Sequence, residues 1–499
     1  MRRTGATRSA LAADPAFAVE TAPAAGAAPV GLAGTVSSDL GDGRYEAARR
    51  GLAVSGVVPP DRPARVVQVC DAAGVLAALD HASAAGLGVT IRSGGHSTAF
   101  TALRDGALAL DVSGLDDVSI DHATGTAIVG PGTTSLALAE ALAGTGLAFP
   151  VGHRASVGLG GFLLAGGNGW NQGAWGSACE SVLGAQVVLA DGRRTSLDAQ
   201  TDAEAFAVLR GAGPAFPAVV TAFRLRLWPE PTVRRRTARF RVDVRTALSD
   251  LAAAGRWADA FAADLAPEVE LTLVLSPGER EEPPVVVASV TAFGRDGDHA
   301  EELLAPLGRC GPVEQTTLAP STTSIPDLLR VDTTPTGTGS VAQQTWTRAG
   351  YAEVLPRLAR PLAAAPSPLS SVLVSSASYR RAAAPATEPL HRPRGTLTVA
   401  AYSTWVPGVD DAANLAWPTA VVEPLADVVT GHYVGELDLR ATPERIGRCW
   451  EPGGLARVAA VRARLDPAGG LVPPPGWPAV VGPPCSAVET APHHQERTP

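Results

Sequence analysis

Val89-Thr90-Ile91-Arg92-Ser93-Gly94-Gly95-His96-Ser97 is a short apolar run that ends in two glycines and a histidine, so it reads as a strand feeding a tight loop. Paired glycines remove two Cβ atoms and admit positive φ, which lets consecutive backbone N–H groups turn toward one bound group. Such a concavity suits an anion, a pyrophosphate above all, and Arg92 adds a fixed charge beside it. His96 then places a nucleophilic imidazole against whatever carries the anion.

Working outward, the chain is 499 residues long, enough for two or three domains with sizeable cores. Its net charge of −8 offers no basic stripe to neutralise phosphates, which argues against a nucleic-acid partner. No run approaches the eighteen or so apolar residues of a membrane span. Cys70, Cys179, Cys310, Cys449 and Cys485 are scattered and never form a C-x-x-C pair, so neither a disulfide framework nor a zinc site is expected. That usage fits a reducing compartment, and the expected location is cytoplasmic. A zinc enzyme built on His96, His122 and His153 would lack the short ligand spacings of such sites, and no metal is expected.

Residues 1–38 are rich in Ala, Pro and Gly and read as a flexible N-terminal arm, with a twin-arginine export signal on Arg2-Arg3 as the second reading. From Pro60 the pattern alternates. Ala64 to Cys70 is strand-like, and Asp71 is an N-cap for a helix through Ala84 with Val75, Leu76, Leu79 and Ala82 on one face. Short strands at 107–112 and 126–130 and a helix at 135–143 follow, giving an α+β succession. Gly152-His153-Arg154-Ala155-Ser156-Val157-Gly158-Leu159-Gly160-Gly161 continues to Trp170 almost without charge. Its glycine spacing is wrong for a dinucleotide fingerprint, and no ribose-binding acid closes a βαβ unit behind it. It reads as backbone passing close to something flat or bulky, or as a tightly packed structural loop.

Four stretches, in this order, resemble the FAD-linked oxidoreductases of the vanillyl-alcohol oxidase (PCMH-type) superfamily, in the berberine-bridge-enzyme-like branch. They are 92–97, Val129-Gly130-Pro131-Gly132, 157–161 with its trailing glycines, and Leu209-Arg210-Gly211-Ala212-Gly213-Pro214 running on to Phe223. Gly431-His432-Tyr433-Val434 and Val461 to Pro467 are similar to the branch's closing motif, so the resemblance covers roughly 60–471. It implies an α+β protein with a two-part FAD-binding domain (39–231). An antiparallel-sheet substrate domain with covering helices (232–427) would follow, and a C-terminal segment (428–471) would return to the FAD domain. Residues 316–339, rich in Thr and Pro, read as a mobile stretch, and residues 472–499, rich in proline, read as a disordered tail.

The resemblance also implies roles. Arg92, Ser93, Gly94, Gly95, His96 and Ser97 would wrap the FAD pyrophosphate, with a single covalent attachment at His96. Pro131, Gly132, Gly152, Ser156, Val157, Gly158, Gly160 and Gly161 would lie against the cofactor, and Val219 and Val220 match an adenine- or ring-side strand. Many relatives attach FAD a second time through a cysteine where this chain has Arg154, so no second thioether is expected. His153 either lines the flavin edge or is a solvated loop residue. Pro217 removes a backbone donor in the fourth motif, and Gly454 stands where relatives often carry asparagine or tryptophan.

The implied reaction is hydride transfer from a small-molecule alcohol or amine carbon to flavin N5, with O2 or another acceptor taking the electrons. The base would be Tyr433 first and Glu436 second, with His432 and Tyr402 as neighbours in pattern. The alternative is a degenerate flavoprotein with a structural or binding role.

Overall fold

A computed structural model describes residues 36–39, 41, 43–243, 246–278, 284–309, 315–331, 335–376 and 387–478. The fold is α+β, with three main sheets.

The first sheet holds β1 (Val36–Asp39), β2 (Arg65–Gln68), β3 (Val89–Arg92) and β4 (Leu108–Asp111) in the order β1-β2-β4-β3. Strands β2, β3 and β4 are parallel, and β1 pairs antiparallel with β2. The last residues of the expected arm, Val36–Ser38, therefore belong to a sheet edge. Between β2 and β3 runs a helix, Ala72–Ala84, whose Asp71 carboxylate accepts a 2.7 Å bond from Gly74 N–H. Val75, Ala78, Leu79 and Ala82 are buried with Val67, Val69, Leu108 and Leu110 in the core beneath this sheet.

The second sheet, β5 (Val118–Asp121), β6 (Thr126–Val129), β7 (Val182–Val188), β8 (Arg194–Leu197) and β9 (Val219–Arg226), is antiparallel in the order β5-β6-β9-β7-β8. The glycine-rich segment is more regular than its composition suggests, because Leu159–Ala165 is a helix. Leu159 and Leu163, one helical turn apart, are both fully buried, and that burial outweighs the helix cost of Gly160 and Gly161.

The third sheet has eight antiparallel strands: β10 (Thr232–Arg241), β11 (Val269–Ser276), β12 (Val285–Gly294), β13 (Gln315–Thr323), β14 (Gly339–Thr347), β15 (Ser371–Ser376), β16 (Leu397–Trp405) and β17 (Val429–Leu437). Their order is β13-β10-β12-β11-β15-β16-β14-β17. Strict alternation makes the sheet two-faced. Leu271, Leu273, Leu275, Val372, Val374, Val399 and Ala401 are buried with Trp257 and Phe261 of helix Ala247–Ala262 and Trp417 of helix Asp411–Val422. The opposite face carries Glu270, Thr272, Ser375 and Tyr402, with Thr272 and Ser375 hydroxyls 2.9 Å apart. Apolar residues hold the helices on one side, and polar residues look toward the first two sheets.

Two further segments differ from the sequence reading. The Thr- and Pro-rich stretch 316–339 contains most of β13 and a helix, Ile325–Arg330, capped reciprocally by Ser324 and Asp327. The expected tail begins in contact with the fold, because Val472 N–H donates to Val89 C=O (2.9 Å). The remainder of that tail, 479–499, and residues 1–35 lie outside the described residues.

Candidate cofactor loop and adjoining polar cleft

Strand β3 delivers its loop at the carboxyl end of a parallel strand pair, the end where α/β sheets expose loop backbone. Arg92 stands opposite Asp111 in register, and its guanidinium binds that carboxylate at 3.1 Å. The charge expected to face an anion is thus already paired. Ser93 Oγ donates to Pro131 C=O (2.6 Å), Gly160 N–H reaches the same carbonyl (2.8 Å), and Leu159 N–H donates to Thr133 C=O (2.8 Å). The segments 93–97, 130–135 and 156–160 are laced together by main chain.

The glycines have a sharper purpose than composition could show. A Cβ on Gly94 would lie 2.4 Å from Gly158 N, and one on Gly158 would lie 2.6 Å from Gly94 N and 2.7 Å from Ser93 Oγ. A Cβ on Gly160 would come within 2.9 Å of Pro131 Cβ. These three permit loop-on-loop contact. Gly95, at φ +73°, supplies the turn that carries the chain to His96. His96 Nε2 lies 3.0 Å from Ser156 Oγ, with Ser97 and Val157 partly exposed beside them. Gly161 is different, because nothing lies within 4 Å of its Cβ position. Gly132 and Gly152 are buried, Gly132 against Ser113 C=O and Gly152 against the Phe162 ring. Val219 and Val220 are core residues, 0% and 4% exposed.

The donors this arrangement leaves over suit a polar cofactor such as FAD. Arg92 Nε, Thr98 Oγ1 and Asn168 Nδ2 are buried without a hydrogen-bond partner in the protein. Buried polar groups of this kind call for one.

The polar face of the large sheet supplies the second half of the site. Tyr402 pairs with Ala342 of β14, and Glu436 sits in β17 on the far side of β14. Across that strand Tyr402 O–H donates to Glu436 Oε2 at 2.5 Å. Burial raises the Glu436 carboxyl above the usual range, opposed by the Tyr402 bond and by the charges of His153 and Arg154. Burial, with the Glu436 charge beside it, pushes the Tyr402 phenol well above its ordinary value. Tyr433 is also buried and raised by burial, and its hydroxyl oxygen accepts Gly167 N–H at 3.1 Å. It ties β17 to the glycine-rich segment.

His153 packs on Trp170 with ring centroids 4.2 Å apart, and its Nε2 is 3.5 Å from Glu270 Oε2. Glu270 Oε1 in turn accepts Asn171 N–H at 2.5 Å. Arg235 lies on the same sheet face, with Nε donating to Ser289 Oγ (2.8 Å), and the Glu270 charge offsets part of its burial. The structure therefore brings Glu436 together with Tyr402, His153, Arg154 and Glu270. Sequence reasoning missed Glu270, whose only signal was a charged residue on an otherwise apolar alternating strand, and Arg235, which is one of five arginines on β10. Among the described residues no group of three or more His, Cys, Asp or Glu could hold a metal ion, and no helix is long and apolar enough to cross a membrane.

Comparison with known proteins agrees with this architecture. Residues 63–198 match the FAD binding domain family. The chain is 31% identical over 263 residues to the FAD-linked oxidoreductase nodO of Hypoxylon pulicicidum, covering 53% of this chain and 57% of that protein. It is 34% identical over 170 residues to (R)-6-hydroxynicotine oxidase of Paenarthrobacter nicotinovorans, covering 34% of this chain and 37% of that protein. These alignments thus span little more than half, or less, of the relatives' lengths. Among solved structures, BBE-like 1 of Physcomitrella patens superposes with a TM-score of 0.77 at 20% identity, covering 90% of this chain and 98% of that one. 6-Hydroxy-D-nicotine oxidase of Arthrobacter nicotinovorans gives 0.75 at 22% identity, covering 87% and 96%. With its laced glycine loops, its FAD-binding sequence match and this shared fold, the chain carries an FAD-binding domain at 63–198 and has the fold of the BBE-like flavoproteins.

Proposed function

We propose that the chain is an FAD-dependent oxidoreductase acting on a small-molecule alcohol or amine. FAD, when bound, supplies a two-electron acceptor that takes hydride at N5 from the substrate carbon and passes the electrons to O2 or another acceptor. The loops 92–97, 130–132 and 156–161 would hold it, with His96 as its single covalent anchor. Arg154, standing where relatives carry a second anchoring cysteine, offers none.

The observation that carries the reading is the 2.5 Å Tyr402–Glu436 bond on the polar sheet face. A substrate O–H or N–H at Tyr402 Oη gives up its proton there while the phenol passes its own to Glu436 Oε2. The phenol alone is too weak a base, and the buried carboxylate is the group that finally holds the proton. Tyr433, the residue preferred from the motif, then serves as a positioning residue. Its hydroxyl fixes β17, and so Glu436, against Gly167.

The test is an anaerobic screen of alcohols and amines against the purified protein, watching flavin absorbance. Bleaching by an alcohol or amine supports the reading. Retention of flavin with no bleaching by any of them would favour a structural or binding role. Yellow colour that stays with acid-precipitated protein, and is lost in His96→Ala, supports the tether.

A further inference from the structure

At the outer edge of the large sheet three arginines converge on β17. Arg394 donates to Trp450 C=O, Arg448 Nη2 donates to Val429 C=O at 2.8 Å, and Arg445 belongs to the short 3-10 turn Pro443–Arg448 beneath them. Gly431 makes the convergence possible. A Cβ there would lie 2.6 Å from Arg394 Cδ and 3.0 Å from both Arg394 Nε and Arg448 C=O. His432, the next residue, is 4% exposed. Burial, with the guanidiniums of Arg445, Arg448 and Arg394 beside it, pushes its imidazole down to about 3.

Among the described residues no carboxylate answers this charge at close range. Among the described residues none of the three arginines forms an ion pair, in a protein where most other partly buried arginines bind a carboxylate or a ladder of carbonyls. Glu423 and Glu444 act on Arg445 only through space. A buried polar atom of this cluster also lacks any partner, Arg445 Nη1. An unmet guanidinium N–H beside like charges is costly, and a small oxyanion relieves both defects at once.

We propose that Arg394, Arg445 and Arg448 form a binding site for a phosphate-class oxyanion at the outer edge of the strand that carries Tyr433 and Glu436. Two guanidiniums already anchored to main-chain carbonyls keep their outer N–H groups for the ligand. The site is separate from the glycine loops and does not depend on what the cleft oxidises.

The test uses the FAD-loaded protein, so that the pyrophosphate loops are filled. Inorganic phosphate, glycerol 3-phosphate and acetate are titrated calorimetrically at constant ionic strength, with melting temperature as a second readout. The expected result is one site for phosphate, with affinity lowered about tenfold or more in both Arg445→Gln and Arg448→Gln, the loss of one charge-assisted bond. Arg448 is exposed, so its variant reports even if Arg445→Gln folds poorly. Tighter binding of glycerol 3-phosphate than of phosphate would support the site with the phosphate carried on a small molecule, and the reverse order supports the site for the free ion. Absence of heat and of any melting shift at about 10 mM phosphate, binding equally tight in Arg448→Gln, or acetate binding as tightly as phosphate would each overturn it.

Discussion

Glu436→Gln isolates the chemistry from the architecture. Glutamine keeps the volume, and its carbonyl oxygen still accepts the Tyr402 O–H, so the link between β16 and β17 survives. What disappears is basicity, because a neutral amide does not take the proton that Tyr402 passes on. General-base catalysis contributes about 10²–10⁴-fold, equivalent to about 2.7–5.4 kcal/mol of barrier at 1.36 kcal/mol per tenfold. The full range applies here because burial raises the carboxyl and brings its basicity closer to neutral pH. The assay is anaerobic rapid mixing with a reducing alcohol or amine, following flavin absorbance across pH. In the parent protein the rate should rise with pH as Glu436 ionises, with a midpoint above the ordinary carboxylate value. In Glu436→Gln the rate should fall by the stated factor and that limb should vanish, while bound FAD and melting temperature stay close to the parent's. An unchanged rate with the limb intact would refute the assignment of the base.

Two glycine substitutions separate loop contact from ligand contact. Gly158→Ala forces a Cβ to within 2.6 Å of Gly94 N, so it should cost about 1–3 kcal/mol of stability and lower the melting temperature even without FAD. Gly161→Ala meets no protein atom within 4 Å, so the fold should be untouched while FAD affinity, measured in a His96→Ala background, falls. Equal behaviour of the two variants would remove that distinction. The Asp61–Arg440 pair, bidentate at 2.8 and 3.0 Å, joins the end of β17 to the first sheet's surroundings. Burial alone would raise the Asp61 carboxyl, but the Arg440 bond and charge outweigh it and hold it below the usual range. Its contribution to stability is therefore present above the unfolded carboxylate value of about 3.9 and lost as pH falls through the lower folded one. Asp61→Asn should flatten the acid limb of melting temperature against pH, and an unaltered limb would show that the pair contributes nothing.

The parts of this fold legible in the sequence are those fixed by local chemistry. Asp71 as a cap, the apolar face of the helix Ala72–Ala84, and the alternation of β11 and β16 are each written within a dozen residues. The helix Leu159–Ala165 was hidden because its glycines carry a high intrinsic penalty, and tertiary burial of Leu159 and Leu163 decides the matter instead. Similarly, Gln315–Thr323 is rich in threonine and holds Pro320, yet pairing with β10 draws it into the sheet. It is an edge strand, and Pro320 falls at the register shift between the Thr317 and Ser321 pairings, a place where proline is tolerated.

The site divides along the same line. Its glycine loops were visible as motifs, but the purpose of Gly94 and Gly158 was not, since each is explained by the other, 64 positions away in the chain, through a 2.4–2.6 Å approach. Arg92 was expected to face an anion, and parallel register with β4 gives it Asp111 instead. The proton-handling pair was harder still. Tyr402 and Glu436 lie on strands that are not neighbours, and they meet across β14, last but one in the sheet order, where Ala342 stands opposite Tyr402. No spacing rule in one dimension encodes a contact across an intervening strand. Exchanging Ala342 for a bulkier residue such as Leu should therefore part the two side chains without touching either, and slow flavin reduction as Glu436→Gln does. If that variant folds and reduces its flavin at the parent rate, the bond across β14 is not what moves the proton.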